Sequence, residues 1–109
     1  GDQVISRVLK MLHKDPAHAW TVDSLAAKVG LSRAALARRF HEVVGEPPMT
    51  FLTQWRLALA ADLLAEPEVT LEEIAEQVGY SSAFALSSAF KRVRGISPKE
   101  HRAQLLAAG

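Results

Sequence analysis

The 109-residue sequence has no cysteine. This excludes a disulfide framework and a thiolate metal site, and it fits a reducing cytosol. The chain also lacks any apolar run approaching the roughly 18 residues that a membrane-crossing helix requires, and its N-terminus has no secretory apolar region. Histidine is sparse and scattered: His13, His18, His41 and His101 form neither HExxH nor another metal-ligand spacing. There is no nucleophile elbow and no glycine-rich phosphate loop. Glu72 and Glu76 share a helix face, but on a short capped helix such a pair is ordinarily just solvated. Neither an enzyme, nor a bound metal or cofactor, nor a membrane protein is expected.

An excess of one charge is missing too, since the formal net charge is only +1. The charges that are present are nevertheless segregated. Residues 28–45 carry Lys28, Arg33, Arg38 and Arg39 against Glu42, and residues 91–102 carry Lys91, Arg92, Arg94, Lys99 and Arg102 against Glu100. Residues 57–90 hold no Lys or Arg, whereas Asp62, Glu66, Glu68, Glu72, Glu73 and Glu76 fall among them. One positive and one negative face would suit a polyanion binder. Two solvated helix surfaces of opposite sign would give the same pattern, so charge leaves the two readings open. The length suits a single domain, and a hydrophobic fraction of 49% excludes wholesale disorder.

Apolar spacing reads as helix nearly everywhere, with the prolines at the joints. A first helix is predicted over about 2–14. Thr21 caps a short helix ended by Gly30, and Ser32 caps the next, which runs to Gly45. Leu31 and Leu36 are placed for a hydrophobic staple around that cap. Pro47-Pro48 begin a long helix of about 18 residues that stops before Glu66-Pro67, spanning roughly 27 Å at 1.5 Å per residue. Thr70 and Glu73 form a capping-box pattern before a helix closed by Gly79. Ser81 or Ser82 caps another to Gly95, and Ser97-Pro98 start the last. The expectation is all-α: seven helices and no strand.

The chain also repeats itself. Thr21, Leu25, Ala26, Val29 and Gly30 recur in order as Thr70, Ile74, Ala75, Val78 and Gly79. Leu36, Phe40, Val43, Gly45 and Pro48 recur as Leu86, Phe90, Val93, Gly95 and Pro98, with one extra residue in the second turn. Each unit is a short helix, a glycine turn and a longer helix. This is the helix-turn-helix order, in which the second helix enters the major groove by its N-terminal half. An ordinary helical hairpin shares that order, so the outward face has to decide. At 100° per residue, Leu36, Phe40 and Val43 form one side of the first long helix, and Ala34, Arg38 and His41 point the other way, flanked by Ala37. Small residues around a long arginine permit close approach to a groove, and arginine makes paired hydrogen bonds to guanine O6 and N7. Alanine is also simply the best helix former. Arg39 lies beside the core stripe, where it meets either phosphate or a neighbouring acid. His41 faces phosphate or water, and His101 is expected to be partly packed.

The connecting helix carries Phe51, Leu52, Trp55, Leu57, Leu59, Leu63 and Leu64, apolar on more than one side. It is expected to be rigid and clamped by both units, with Trp55 packed rather than base-stacking. Its length is commensurate with the roughly 34 Å turn of B-DNA, which would let two recognition helices enter successive major-groove segments of an asymmetric site without a dimer. A helical module that binds protein, through the acidic stretch from Asp62 to Glu76, is the competing reading.

The segments LAAKVGLSRAALARRFHEVVGEPPMTFLTQWRLALAADLL and IAEQVGYSSAFALSSAFKRVRGISPKEHR resemble the C-terminal DNA-binding domain of AraC/XylS-type transcription regulators over about residues 5–103. The specific elements are Ile74-Ala75, Gly79-Tyr80, Phe90-Lys91-Arg92 and Gly95-Ile96-Ser97-Pro98, together with the Arg-Leu-x-x-Ala-x-x-Leu-Leu stretch at 56–64. The resemblance implies two helix-turn-helix subdomains, about 1–46 and 67–109, joined by a linker helix at 47–66. It implies promoter DNA as partner, sequence-specific binding of duplex DNA, regulation of transcription in the cytoplasm, contact with RNA polymerase, and a fragment of a larger regulator whose ligand-sensing or dimerising domain lies elsewhere. The isolated domain is expected to be monomeric.

Carried over position by position, the resemblance puts base contacts at Arg33, Ala34, Ala37 and Arg38, and in the second unit at Ala83, Phe84, Ser87 and Ser88. Phosphate contacts fall to Ser32, Arg39, His41, Ser82, Lys91, Arg92 and Arg94. The pattern departs at Ser88, where the family commonly has arginine, and at Leu86 and His101, where an aromatic is usual. Phe84 could meet a thymine methyl and serine can hydrogen-bond, but neither equals a bidentate arginine. The second unit is therefore expected mainly to position the domain on the backbone.

Overall fold

A computed structural model of the protein describes residues 2–109, among which there are seven helices and no strand. In chain order they are α1 (Gln3–Lys14), α2 (Val22–Val29), α3 (Arg33–Val44), α4 (Pro48–Leu63), α5 (Leu71–Val78), α6 (Ala83–Arg94) and α7 (Pro98–Ala108). A helix start leaves backbone N–H groups without partners, and side-chain oxygens satisfy them here. Asp2 accepts from Val4 and Ile5, Ser32 from Ala35, and Ser82, rather than Ser81, from Ala85. Thr21 with Ser24, Thr70 with Glu73 and Ser97 with Glu100 close reciprocal capping boxes. α4 is shorter than expected. It ends at Leu63, and Ala65 and Glu66 reach back only three residues, to Asp62 and Leu63, in a tightened turn ahead of Pro67.

The helices divide into two compact units, one ending at Trp55 and the other beginning at Arg56, so the boundary falls inside α4. α4, the helix expected within 47–66 to join the two units, contributes to both cores. Its first half gives Leu52 to a cluster with Ile5, Val8 and Leu12 of α1, Leu25 and Ala26 of α2, and Leu36 and Phe40 of α3. Its second half gives Leu57, Ala60, Ala61 and Leu64 to a cluster with Ile74, Ala75 and Val78 of α5 and Leu86, Ala89 and Phe90 of α6. Trp55 is half-buried, its ring 4.7 Å from that of His13. His101 packs edge-on against Phe90.

Val43 was expected in the core stripe with Leu36 and Phe40, but it is 53% exposed. The stripe continues at a spacing of four, through half-buried Val44, so the core meets the other flank of the last turn. Val93 is turned out in the same way in the second unit.

The turn between the paired helices opens in the same way in both units, although it is one residue longer in the second. Gly30 and Gly79 sit at φ 72° and 102°, where an L side chain is strained. The following residue closes the turn backwards: Leu31 donates to the Ala26 carbonyl at 3.0 Å and Tyr80 to the Ala75 carbonyl at 2.8 Å. The Tyr80 ring lies under the Arg56 guanidinium, 5.9 Å from it. Burial pushes the arginine below its ordinary pKa and the phenol above its own, each partly countered by the other.

Two arginines tie elements together within their units. Arg39 of α3 donates from Nε and Nη2 to the Asp2 carboxylate at 2.9–3.1 Å, while Asp2 also caps α1. Burial pushes the Asp2 carboxyl up. The Ile5 and Val4 N–H groups and the Arg39 guanidinium outweigh that and hold it below the ordinary aspartate value. Arg102 of α7 donates to three backbone oxygens, those of Leu64, Glu66 and Val69, at 2.7–3.0 Å. These carbonyls lie at the C-terminal end of α4 and in the turn to α5, where no further helix is available to satisfy them.

Because Arg102 serves three acceptors at once, Arg102→Ala should destabilise the protein by about 1–3 kcal/mol, with Arg102→Lys recovering only part, as read by urea unfolding. A group whose folded pKa is depressed contributes stability above its unfolded pKa and loses it as pH falls through the folded value. Asp2→Asn keeps a capping residue but removes the charge. It should lower the melting temperature at neutral pH, and the gap to the wild type should close on acidification through the carboxylate range. A gap independent of pH would contradict the Asp2–Arg39 account.

Candidate nucleic-acid interface

The outward face of α3 follows from what is buried on its other side. Leu36 and Phe40 are completely buried, which fixes the helix rotation and leaves Ser32, Arg33, Ala34, Arg38, His41 and Glu42 exposed. Ala37 is half-buried between the two sides. Nothing larger than a methyl rises from the strip between Arg33 and Arg38. The helix start adds the partial positive charge of its unpaired N–H groups beneath these cations.

Two acids lean on the arginines. Arg33 lies 3.8 Å from Asp23 and Arg38 3.9 Å from Glu42, all four side chains well exposed. Solvated pairs of this geometry are worth about 0–1 kcal/mol, so either guanidinium can exchange its carboxylate for a better acceptor. Arg39 differs. Its guanidinium is only 33% exposed and is held by both Asp2 oxygens, so of the two alternatives open for it, the structure occupies the neighbouring acid.

α6 repeats the arrangement with other side chains. Buried Leu86, Ala89 and Phe90 turn Ser82, Phe84, Ser88, Lys91 and Arg92 to solvent, with Ala83 and Ser87 half-buried. Phe84, Ser87, Ser88, Lys91, Arg92 and Ser97 line an open hollow of about 510 Å³. Its lining is largely apolar, and Lys91 and Arg92 are the cations along it. Arg94 stands over the Phe90 ring at 5.5 Å, along the core edge. Every second-unit residue expected to contact DNA is thus on α6 or at its start. Arg102, part of the basic count in the sequence, is turned inward to carbonyls instead. Local sequence carries no signal for that inward role, because its acceptors are backbone atoms more than thirty residues away.

The described residues contain no group of acids and histidines able to hold a metal ion, and no helix long and apolar enough to cross a membrane. The exposed acids of α5, Glu72, Glu73 and Glu76, are carried by a different helix from the cations of α6.

Comparison with known proteins bears on what such strips are used for. Residues 25–104 match the family described as helix-turn-helix domain. The chain is 50% identical over 102 residues to a putative AraC-like transcription regulator of Streptomyces lividans, covering 94% of this chain and 34% of that protein. It is 43% identical over 100 residues to the HTH-type transcriptional regulator AlkR of Acinetobacter baylyi, covering 92% of this chain and 33% of that one. It therefore spans about a third of the length of the curated relatives it matches. Among solved structures, it is similar to the C-terminal domain of AraT, a response regulator from Geobacillus stearothermophilus, with a TM-score of 0.91 at 31% identity, over 94% of this chain and 86% of that one. It also matches the DNA-binding domain of AdpA, a global transcriptional factor, in complex with a target DNA, with a TM-score of 0.91 at 29% identity, over 98% and 96% of the two chains.

Proposed function

The chain belongs to the AraC/XylS-type helix-turn-helix regulators, and on that premise we propose that it binds double-stranded DNA sequence-specifically and thereby regulates transcription at promoters. The strip on α3 carries this reading. A capped helix start, flat alanines and two exposed arginines held only by weak solvated pairs form a surface that a major groove can receive. The DNA complex of the similar AdpA domain supports it.

Arg33, Ala34, Ala37 and Arg38 take the base edges, with Arg38 the leading reader of guanine and the alanines giving clearance. Ala83, Phe84, Ser87 and Ser88 face the groove from α6, reading or positioning. Ser32, His41, Ser82, Lys91, Arg92 and Arg94 take phosphate. Arg39 would have to surrender three hydrogen bonds to reach phosphate, so its part is to hold α1 against α3. Each recognition helix takes one half-site of an asymmetric operator, which a single chain can occupy as a monomer. A cytoplasmic location, contact with RNA polymerase, and a ligand-sensing or dimerising domain elsewhere in the regulator complete the proposal.

Phosphate contacts release counterions, so log K should fall by about 0.9 per contact per log unit of salt. A titration of duplex binding should therefore be steep. A flat response, or no duplex binding at low salt, would instead favour a module that binds protein. Arg38→Ala should cost about 1–3 kcal/mol on the preferred site and flatten preference at one base pair. Equal loss on random DNA would make Arg38 a phosphate contact. Ser88→Ala should cost little, and a loss of specificity as large as that of Arg38→Ala would show that α6 reads bases through Ser88.

A further inference from the structure

On the DNA-binding reading above, the two recognition helices carry opposite chemistry at matching positions. Arg33 and Arg38 of α3 correspond to Ala83 and Ser88 of α6, and Ala34 corresponds to Phe84. The long donors have gone from these two positions of the second helix, and an aromatic ring has appeared where the first helix has a methyl.

Phe84 is 81% exposed, more than any other large hydrophobic residue among those described, and it belongs to neither core cluster. It sits in the first turn of α6, the part of a recognition helix that reaches base edges. The ring is one wall of the open hollow whose other walls are Ser87, Ser88, Lys91, Arg92 and Ser97. Ser97 is committed to its capping box with Glu100, so the polar side chains left along the hollow are two serines with short hydroxyls and two cations. The cations select a polyanion. The hydroxyls are too short for bidentate base recognition. What remains to discriminate between sequences is an apolar ring, and the apolar group that a base edge offers in the major groove is the C5-methyl of thymine. Cytosine methylated at C5 presents a methyl at the same place.

We propose that Phe84 reads the C5-methyl group of a pyrimidine in the half-site of the second unit. That position then takes thymine or 5-methylcytosine and disfavours uracil and unmodified cytosine. The two half-sites are read by unlike means, guanine by arginine in the first and a methyl by phenylalanine in the second. Methylation of a cytosine at that one position would strengthen the complex without any change in the protein.

The test uses the duplex that the wild-type chain enriches from a randomised pool. Each thymine in it is replaced singly by deoxyuridine, which removes only the methyl. One position in the second half-site should lose affinity by about three- to fivefold, the size expected for one methyl taken out of water. At that position 5-methylcytosine should bind tighter than cytosine by a similar factor. Phe84→Ala, which removes an exposed ring and should leave the melting temperature unchanged, should abolish both differences, whereas Arg38→Ala should retain them. If every deoxyuridine duplex binds the wild type as well as its parent, or if Phe84→Ala keeps the discrimination, methyl reading is wrong while DNA binding stands. If Phe84→Ala binds the sequence unchanged, the ring serves another partner, such as a protein, and methyl reading is again wrong. If no sequence is enriched at all, the DNA-binding reading itself fails and methyl reading falls with it.

Discussion

Complete burial of two residues one turn apart, Leu36 with Phe40 in α3 and Leu86 with Phe90 in α6, is the constraint from which the rest of the molecule follows. Each pair pins its helix against a neighbouring short helix and fixes its rotation. Once the rotation is fixed, the outward residues are no longer a matter of choice. Arg38 and Ala34 must face solvent in one unit, and Ser88 and Phe84 in the other. Removing one such leucine side chain would cost about 2–5 kcal/mol and would also free the rotation on which any reading surface depends.

Holding a helix by two residues works only if its ends are held as well. The serine caps and the glycine turns fix the starts, and they do so with the same atoms in both units. Two arginines do comparable work over longer chain separations. Arg39 ties α3 to the cap of α1, and Arg102 of α7 closes the open carbonyls between α4 and α5. The positive charge apparent in the sequence is therefore larger than the positive charge offered to a ligand, because part of it is engaged within each unit. The cations left on the outward strips, Arg33 and Arg38 in one unit and Lys91 and Arg92 in the other, sit where α3 and α6 are turned to solvent.

Much of this was legible because it is written in local chemistry. A serine or threonine before an apolar run, a glycine after it and a proline at a joint are read one turn at a time, and they placed all seven helices. The duplication was legible because both copies keep the same buried positions. Three things were not. The end of the core stripe went to Val44 rather than Val43, since a spacing of three and a spacing of four differ by a fraction of a turn. α4 is expected from its apolar surface to be clamped by both units, and it does give residues to both cores, but where along it one core hands over to the other, at Trp55 and Arg56, has no local signal. The partners of Arg39 and Arg102 lie more than thirty residues away, and no periodicity carries information over that distance. Of the outward residues, Arg33, Ala34, Arg38, Phe84 and Ser88 stand exposed where a helical wheel puts them, because burial of the opposite side decides that much.

On the proposed reading, the exposed strips of α3 and α6, and no other surface, meet DNA. Amide chemical-shift mapping of the isotope-labelled chain during titration with its preferred duplex would show which residues take part. Perturbations should concentrate at Ser32–His41 and Ser82–Arg94, with the α5 acids Glu72, Glu73 and Glu76 unmoved. Shifts centred on α5 or on the exposed leucines of α7, with those two stretches silent, would contradict that reading.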